Sequence, residues 1–236
     1  MSALKTIALI PARSGSKGLP GKNTKRLGPY PLIAHTVLAA KESGVFDHII
    51  VSTDCQTIAD IALEYGAQLP PSGLRSADLA EDTSSVLDVI KLICAEMKAH
   101  LGVDDFELVL LQPTSPLRTA KQIKEAMALK NTLASNASVI GVSNTKPLSW
   151  QGSVSLNGEL ALHQGQALEN TNRQQLQQNV VINGTLYIAN ASRLQQFGFS
   201  EAPVFAYVMP EETAVDIDTA LDFDLAAVLY QKTHEK

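Results

Sequence analysis

Short apolar runs alternate along this chain with stretches whose apolar positions recur every three or four residues. The runs Ile7–Ile10, His48–Ser52, Leu108–Gln112, Ala137–Val142, Asn183–Ile188 and Val204–Met209 predict strands. Between them, a segment opened by Pro31 and ending near Gly44, then Gln56–Tyr65, Ser84–Ala99 and Thr119–Lys130, predict amphipathic helices, and Thr219–Gln231 predicts a last one. In Ser84–Ala99 the stripe is Val86, Val89, Ile90, Ile93 and Met97, the spacing of a single helix face. Strands alternating with helices imply right-handed crossovers and a mostly parallel sheet covered on both faces, an α/β fold. From Ser143 to Gln178 the texture turns polar, and Val154–Leu162 reads as two short strands about an Asn157-Gly158 turn. We take 143–178 as an excursion from the sheet, so that 1–236 forms one domain.

Composition narrows the classes. With 45% hydrophobic and 18% charged residues, the chain can bury a sizeable core. A net charge of -5 argues against a nucleic-acid partner held by a broad basic field. Only Cys55 and Cys94 occur, without CxxC or Cys/His spacing, so buried thiols in a reducing compartment are expected rather than zinc or disulfides. No signal-peptide pattern precedes the first strand, and no apolar run approaches the ~20 residues that span a bilayer. A cytoplasmic protein with no membrane partner is expected.

Against that acidic background, Arg13, Lys17 and Lys22 stand among Gly15, Gly18 and Gly21 directly after the first strand. Glycines let backbone amides turn toward a ligand, and cations add charge where open α/β sheets place their ligands. The spacing fits neither GxxxxGK[ST] nor GxGxxG. An ordinary solvated loop is the bland alternative; the position after a buried strand favours phosphate binding.

Here the sequence resembles a known family. Ile10-Pro-Ala-Arg-Ser-Gly-Ser-Lys-Gly-Leu-Pro-Gly-Lys-Asn23 is similar to the nucleotide-binding signature of the CMP-sialic acid synthetases, cytidylyltransferases that activate nonulosonic acids. Ile49–Asp54, Leu74–Ser85, Leu110–Arg118, Arg173–Leu176 with Asn183–Tyr187, and Val215–Thr219 resemble further family elements in order, covering about residues 6 to 225. The resemblance implies a Rossmann-like three-layer α/β/α nucleotidyltransferase fold. It also implies transfer of CMP from CTP to a 2-keto sugar acid with release of pyrophosphate.

The implied roles carry over residue by residue. Arg13, Lys17, Lys22 and Asp216 form the catalytic set, with Ala12, Ser14, Gly15, Ser16, Asn23, Arg75, Asp82 and Ser84 joining the cations around the nucleotide. Gln112, Arg173 and Tyr187 fall to the sugar, Arg173 gripping its carboxylate, although Tyr187 suits the core somewhat better. Asp216 and Asp218, two apart, share a face and are the Mg²⁺ ligands, whereas spacing alone would make Asp218 a helix cap. Asp222 and Asp224 are expected to be solvated, and His35 and Arg118 to be structural. The polar excursion implies a homodimer, with Phe197 and Phe199 as contacts.

The chain departs from the family where R-Q-x-L-P and a following basic residue are usual. It has Arg173-Gln-Gln-Leu-Gln177 and then Val180-Val-Ile-Asn-Gly-Thr185. Apolar residues there suggest a sugar acid less polar at one end than N-acetylneuraminate. The competing readings are a CMP-Kdo-type cytidylyltransferase and a nucleotide-binding module without catalysis.

Overall fold

The computed structural model describes residues 4–16, 18–79, 85–145, 151–155, 157–162, 179–201 and 203–234. In chain order these form β1 (Thr6–Pro11), β2 (Arg26–Leu27), β3 (Tyr30–Pro31), α1 (Leu32–Ser43), β4 (His48–Ser52), α2 (Gln56–Tyr65), α3 (Val86–Leu101) and β5 (Glu107–Leu110). Then come α4 (Ala120–Asn131), β6 (Ser138–Thr145), β7 (Gly152–Val154), β8 (Leu160–Leu162), β9 (Asn179–Asn190), α5 (Ala191–Gln196), β10 (Val204–Val208) and α6 (Ala220–His234).

β1 organises the core because its side chains alternate between two layers. Ala8 and Ile10 face Ile33 and Val37 of α1, Ile58 of α2 and Ile123 and Met127 of α4. Ile7 and Leu9 face Val89, Ile90, Ile93 and Met97 of α3 and Leu194 of α5. The α3 stripe read from the sequence is the buried face, apart from Val86, which stays exposed. A third cluster joins α6 to the β2–β3 hairpin through Leu27, Leu32, Ile217, Phe223 and Ala226.

The six-stranded sheet runs β10-β6-β9-β5-β1-β4. β1 pairs in parallel with both β4 and β5, and β10 with β6, while β9 is antiparallel to its two neighbours. The expected mostly parallel three-layer α/β/α sheet is therefore present, with one reversed strand. After β4 the chain crosses back over β1, so the strand order reverses between β1 and β5. Such a switch point opens a crevice at the carboxyl ends of the strands.

Three boundaries differ from the sequence reading. Leu111 and Gln112 lie beyond β5 at its carboxyl end, Leu111 still buried and donating its amide to the Leu9 carbonyl at 2.9 Å. β6 and β9 remain paired out to Thr145 and Asn179, so Ser143–Thr145 belongs to the sheet and not to the excursion. Within the excursion, β7 and β8 pair around Asn157-Gly158 as expected. α5, six residues long, was too short to register as a periodic pattern.

Candidate active site

Three segments meet over the switch point: the loop after β1, the turn after β5 and the strand-like run before α6. They line a cleft of about 560 Å³ that includes Arg13, Ser16, Gly18, Lys22, Asn23, Arg75, Gln112, Thr114, Asp218 and Thr219. Ser85 and Val89, at the start of α3, close another side.

The loop is held at both ends. Asn23 Nδ2 donates to the Arg13 carbonyl at 2.9 Å, folding the loop back on its own start. Lys22 is buried, and its Nζ donates to the Ile217 carbonyl at 2.6 Å and lies 3.4 Å from Asp218 Oδ1. The basic loop and the acidic pair, almost two hundred residues apart in sequence, thus form one wall. Gly18 is required there, since a Cβ on it would stand 2.2 Å from the Asp218 carbonyl oxygen. At the other end, Ser14 donates its amide and hydroxyl to the two oxygens of Asp54, at 2.8 and 2.5 Å. Burial disfavours the Asp54 carboxylate, but the two bonds from Ser14 outweigh it and hold its pKa below the ordinary value.

The acidic segment is anchored to the β5 turn, where the Ile217 amide donates to the Thr114 carbonyl at 2.8 Å. Asp216 sits against Gly184, whose φ of +73° lets β9 bulge past Gln112 and the carboxylate without a side chain. Burial raises the Asp216 pKa, Asp218's like charge adds to the rise, and a Thr114 hydrogen bond and Lys22 oppose it. The cap that spacing alone would place at Asp218 is not formed. Thr219 caps α6, and Asp222 Oδ2 accepts from the Thr219 amide and hydroxyl, both at 2.8 Å. Asp222 therefore belongs to a capping box rather than to free solvent, and these bonds lower its pKa. Asp218, relieved of capping, turns its carboxylate toward Lys22.

Arg75 is drawn in by β4: its Nε donates to Ser52 Oγ at 3.1 Å and its Nη2 to the Ser52 carbonyl at 2.5 Å. Gln112 lines the cleft with its Oε1 toward Gly184.

Other expected residues fall outside this assembly. Ala12 is fully buried and its amide is used by the Ser52 carbonyl at 2.9 Å, so it supports the loop from below. Ser14 faces Asp54, and Gly15 has open space beside it. Tyr187 packs on Phe199 with ring centroids 5.3 Å apart; burial and the Asp216 charge raise its pKa. Phe197 is exposed. Lys17, Asp82, Ser84 and Arg173 lie outside the described residues. Arg118 is structural as expected: it donates to the carbonyls of Thr185 and Gln112, and burial pulls its pKa down to about 9. His35 donates to the Leu27 carbonyl at 2.8 Å and packs between Tyr30 and Tyr230.

The sequence reading missed Thr114, Gly184 and Asp54 as parts of the site. Gly184 had a usable signal, because a glycine inside a strand pattern marks a bulge or a close approach. Asp54 and Thr114 had none, since their roles depend on where the loops meet.

A family model described as cytidylyltransferase matches residues 7–232. The chain is 37% identical over 237 residues to the CMP-N,N'-diacetyllegionaminic acid synthase of Legionella pneumophila subsp. pneumophila, covering 98% of this chain and 99% of that protein. It is 34% identical to the N-acylneuraminate cytidylyltransferase of Escherichia coli O18:K1:H7, spanning 98% of this chain but 54% of that longer relative. Among solved structures, CMP:2-keto-3-deoxy-manno-octonic acid synthetase complexed with CTP superposes with a TM-score of 0.68 at 14% identity, over 97% of this chain and 99% of that one, which establishes the shared fold. A cleft at the switch point, the loop signature and the family match together place this chain in the cytidylyltransferase family.

Proposed function

We propose that this chain activates a nonulosonic acid of the diacetylated, legionaminate type, transferring CMP from CTP and releasing pyrophosphate. The observation that carries the reading is the meeting of Lys22 with Asp218 in the lining of one cleft, with Asp216 two residues away. A triphosphate needs cations for its oxygens and hard ligands for its metal, and this wall supplies both.

The sugar's anomeric hydroxyl oxygen attacks the α-phosphorus, and the bond to the leaving pyrophosphate breaks in line with it. Arg13, Lys17 and Lys22, with the amides around Ser14, Gly15 and Ser16, offset the charge gathering on that pyrophosphate. Asn23 keeps the loop closed through the Arg13 carbonyl. Arg75, with Asp82 and Ser84, reads the base and ribose. Gln112 and Arg173 take the sugar acid, the guanidinium gripping the carboxylate with two parallel bonds; Tyr187 contributes from behind, through packing.

Asp216 and Asp218 fit Mg²⁺. They are two hard oxygen donors; burial first, and the like charge of Asp218 after it, raise the Asp216 pKa, and a cation would offset both. Among the described residues no cluster of three or more His, Cys, Asp or Glu could hold a metal ion, so phosphate oxygens would have to complete the shell around Mg²⁺. When bound, Mg²⁺ neutralises phosphate charge and acidifies the attacking hydroxyl.

What supports a diacetylated substrate is the apolar run Val180, Val181 and Ile182, exposed on β9 immediately before Asn183 and Gly184. The name of the Legionella relative, which this chain matches from end to end, supports it. The same ribbon, with Val154 and Leu160 on the β7–β8 hairpin, offers apolar surface for a homodimer. Among the described residues no helix is long and apolar enough to cross a membrane. Dependence on CTP suits the cytoplasm.

Pyrophosphate release from CTP, assayed with and without Mg²⁺ against N,N'-diacetyllegionaminate, N-acetylneuraminate and 3-deoxy-manno-octulosonate, tests the proposal. Highest kcat/KM with the first supports it. Faster turnover of either other acid overturns the substrate assignment, and no turnover with any overturns the activity.

A further inference from the structure

We propose that Asp54 is a positioning residue that ties the triphosphate side of the cleft to the base side; the proposal rests on the nucleotide reading above. Asp54 does not line the cleft, but the corner it ends, Ser52–Asp54 at the carboxyl end of β4, is bonded to both lips. The Ser52 carbonyl accepts the Ala12 amide at 2.9 Å and Arg75 Nη2 at 2.5 Å, and the Thr53 carbonyl accepts the Arg75 amide at 2.8 Å. Asp54 completes the corner with its two bonds from Ser14. Beyond Ser14 the loop is glycine-rich, and Gly15 has nothing packed beside it. The start of the phosphate loop is therefore set by the Ala12 amide and by Ser14, together with the Asn23 bond to the Arg13 carbonyl.

The carboxylate has a second effect. Arg13 and Arg75 lie close enough for their like charges to oppose one another, and Asp54 offsets that repulsion at Arg75. One side chain thus fixes the loop and lets two guanidiniums share one cleft. Asp54→Asn keeps the shape and an acceptor but removes the charge, while Asp54→Ala removes both.

The test measures KM for CTP and for the sugar acid, kcat, and CTP binding by calorimetry in the absence of sugar. We expect Asp54→Asn to weaken CTP about tenfold and Asp54→Ala about thirtyfold or more, as for loss of hydrogen bonds to a charged group. The sugar's KM stays within about twofold, since that side of the cleft is built by other strands. Ser14→Ala weakens CTP on its own but adds nothing in the Asp54→Ala background, where its hydroxyl has already lost its acceptor. Asp47→Ala is the control: Asp47 also accepts a backbone amide, from Thr6 at 2.8 Å, at the opposite end of the sheet, and its loss leaves both KM values unchanged. CTP affinity unchanged in both Asp54 variants, or CTP and sugar KM rising together, overturns the proposal. Should Asp54→Ala not fold, the near-isosteric Asp54→Asn decides alone. Parent protein that binds no CTP overturns instead the nucleotide reading on which the proposal rests.

Discussion

Replacing Asp216 by Asn separates what this carboxylate does for the fold from what it does for function. Its pKa is raised by burial and by Asp218, so the folded protein holds a proton there that the unfolded chain releases. Between the ordinary carboxylate value of 3.8 and the raised folded value, stability falls as pH rises, and above that window the full cost is present. The carboxylate is exposed to solvent, which screens its repulsion from Asp218, and relief of one such like-charge contact is worth about 1 kcal/mol at most. In a chain of this length, that corresponds to about 2–4 °C in the unfolding midpoint.

Metal-free Asp216→Asn should therefore melt about 2–4 °C above the parent at pH 7.5. The gain should shrink as pH falls toward the ordinary carboxylate range. The order reverses when MgCTP is added. At a hundredfold excess over its dissociation constant, the ligand stabilises the parent by about 2.7 kcal/mol, and the variant, with a weaker oxygen donor, by much less. Thermal unfolding followed by circular dichroism, with EDTA and with MgCTP at two pH values, reads both effects. A variant less stable than the parent in EDTA refutes the electrostatic argument, and a variant that gains as much from MgCTP refutes the metal role.

Three other substitutions probe separate parts of the argument. Gly18→Ala drives a methyl into the Asp218 carbonyl; expected are a loss of about 1–3 kcal/mol of stability and, from the displaced loop, a fall in kcat/KM of about a hundredfold. Lys22→Ala should lower kcat about 10²–10³-fold with a smaller change in KM for CTP, because the ammonium acts on charge that builds up during transfer. Lys130→Met leaves Glu107 unpaired in the core, where their ion pair spans 3.2 Å and burial already raises the Glu107 pKa. Breaking such a pair costs about 3–5 kcal/mol, lowering the midpoint by about 10 °C or more, while KM for CTP is unchanged because the pair lies at the end of β5 away from the cleft.

The elements legible in the sequence are those in which one periodic face decides the outcome. β1 and α3 show this: Ile7 and Leu9 alternate with Ala8 and Ile10, and the spacing of Val89, Ile90, Ile93 and Met97 already describes the surface they meet. The antiparallel course of β9 was not legible, since strand direction depends on what the preceding segment does in space. The short α5 and the β2–β3 hairpin carry too few residues to show a period.

The site divides along the same line. The loop glycines and lysines announce phosphate chemistry because their local conformational freedom and charge are properties of the residues themselves. The acidic pair is different, for locally Asp218 has all the qualifications of a helix cap, and only the neighbouring residues decide otherwise. Thr219 and Asp222, three apart, form a reciprocal capping box, the same grammar as Ser85 with Asp88 at α3 and Thr119 with Gln122 at α4. Once that box satisfies the first turn of α6, a cap at Asp218 has no amide left to serve. The sequence Asp-Thr-x-x-Asp therefore contained the answer: the second acidic residue takes the structural duty, which leaves the first to face Lys22 and the cleft.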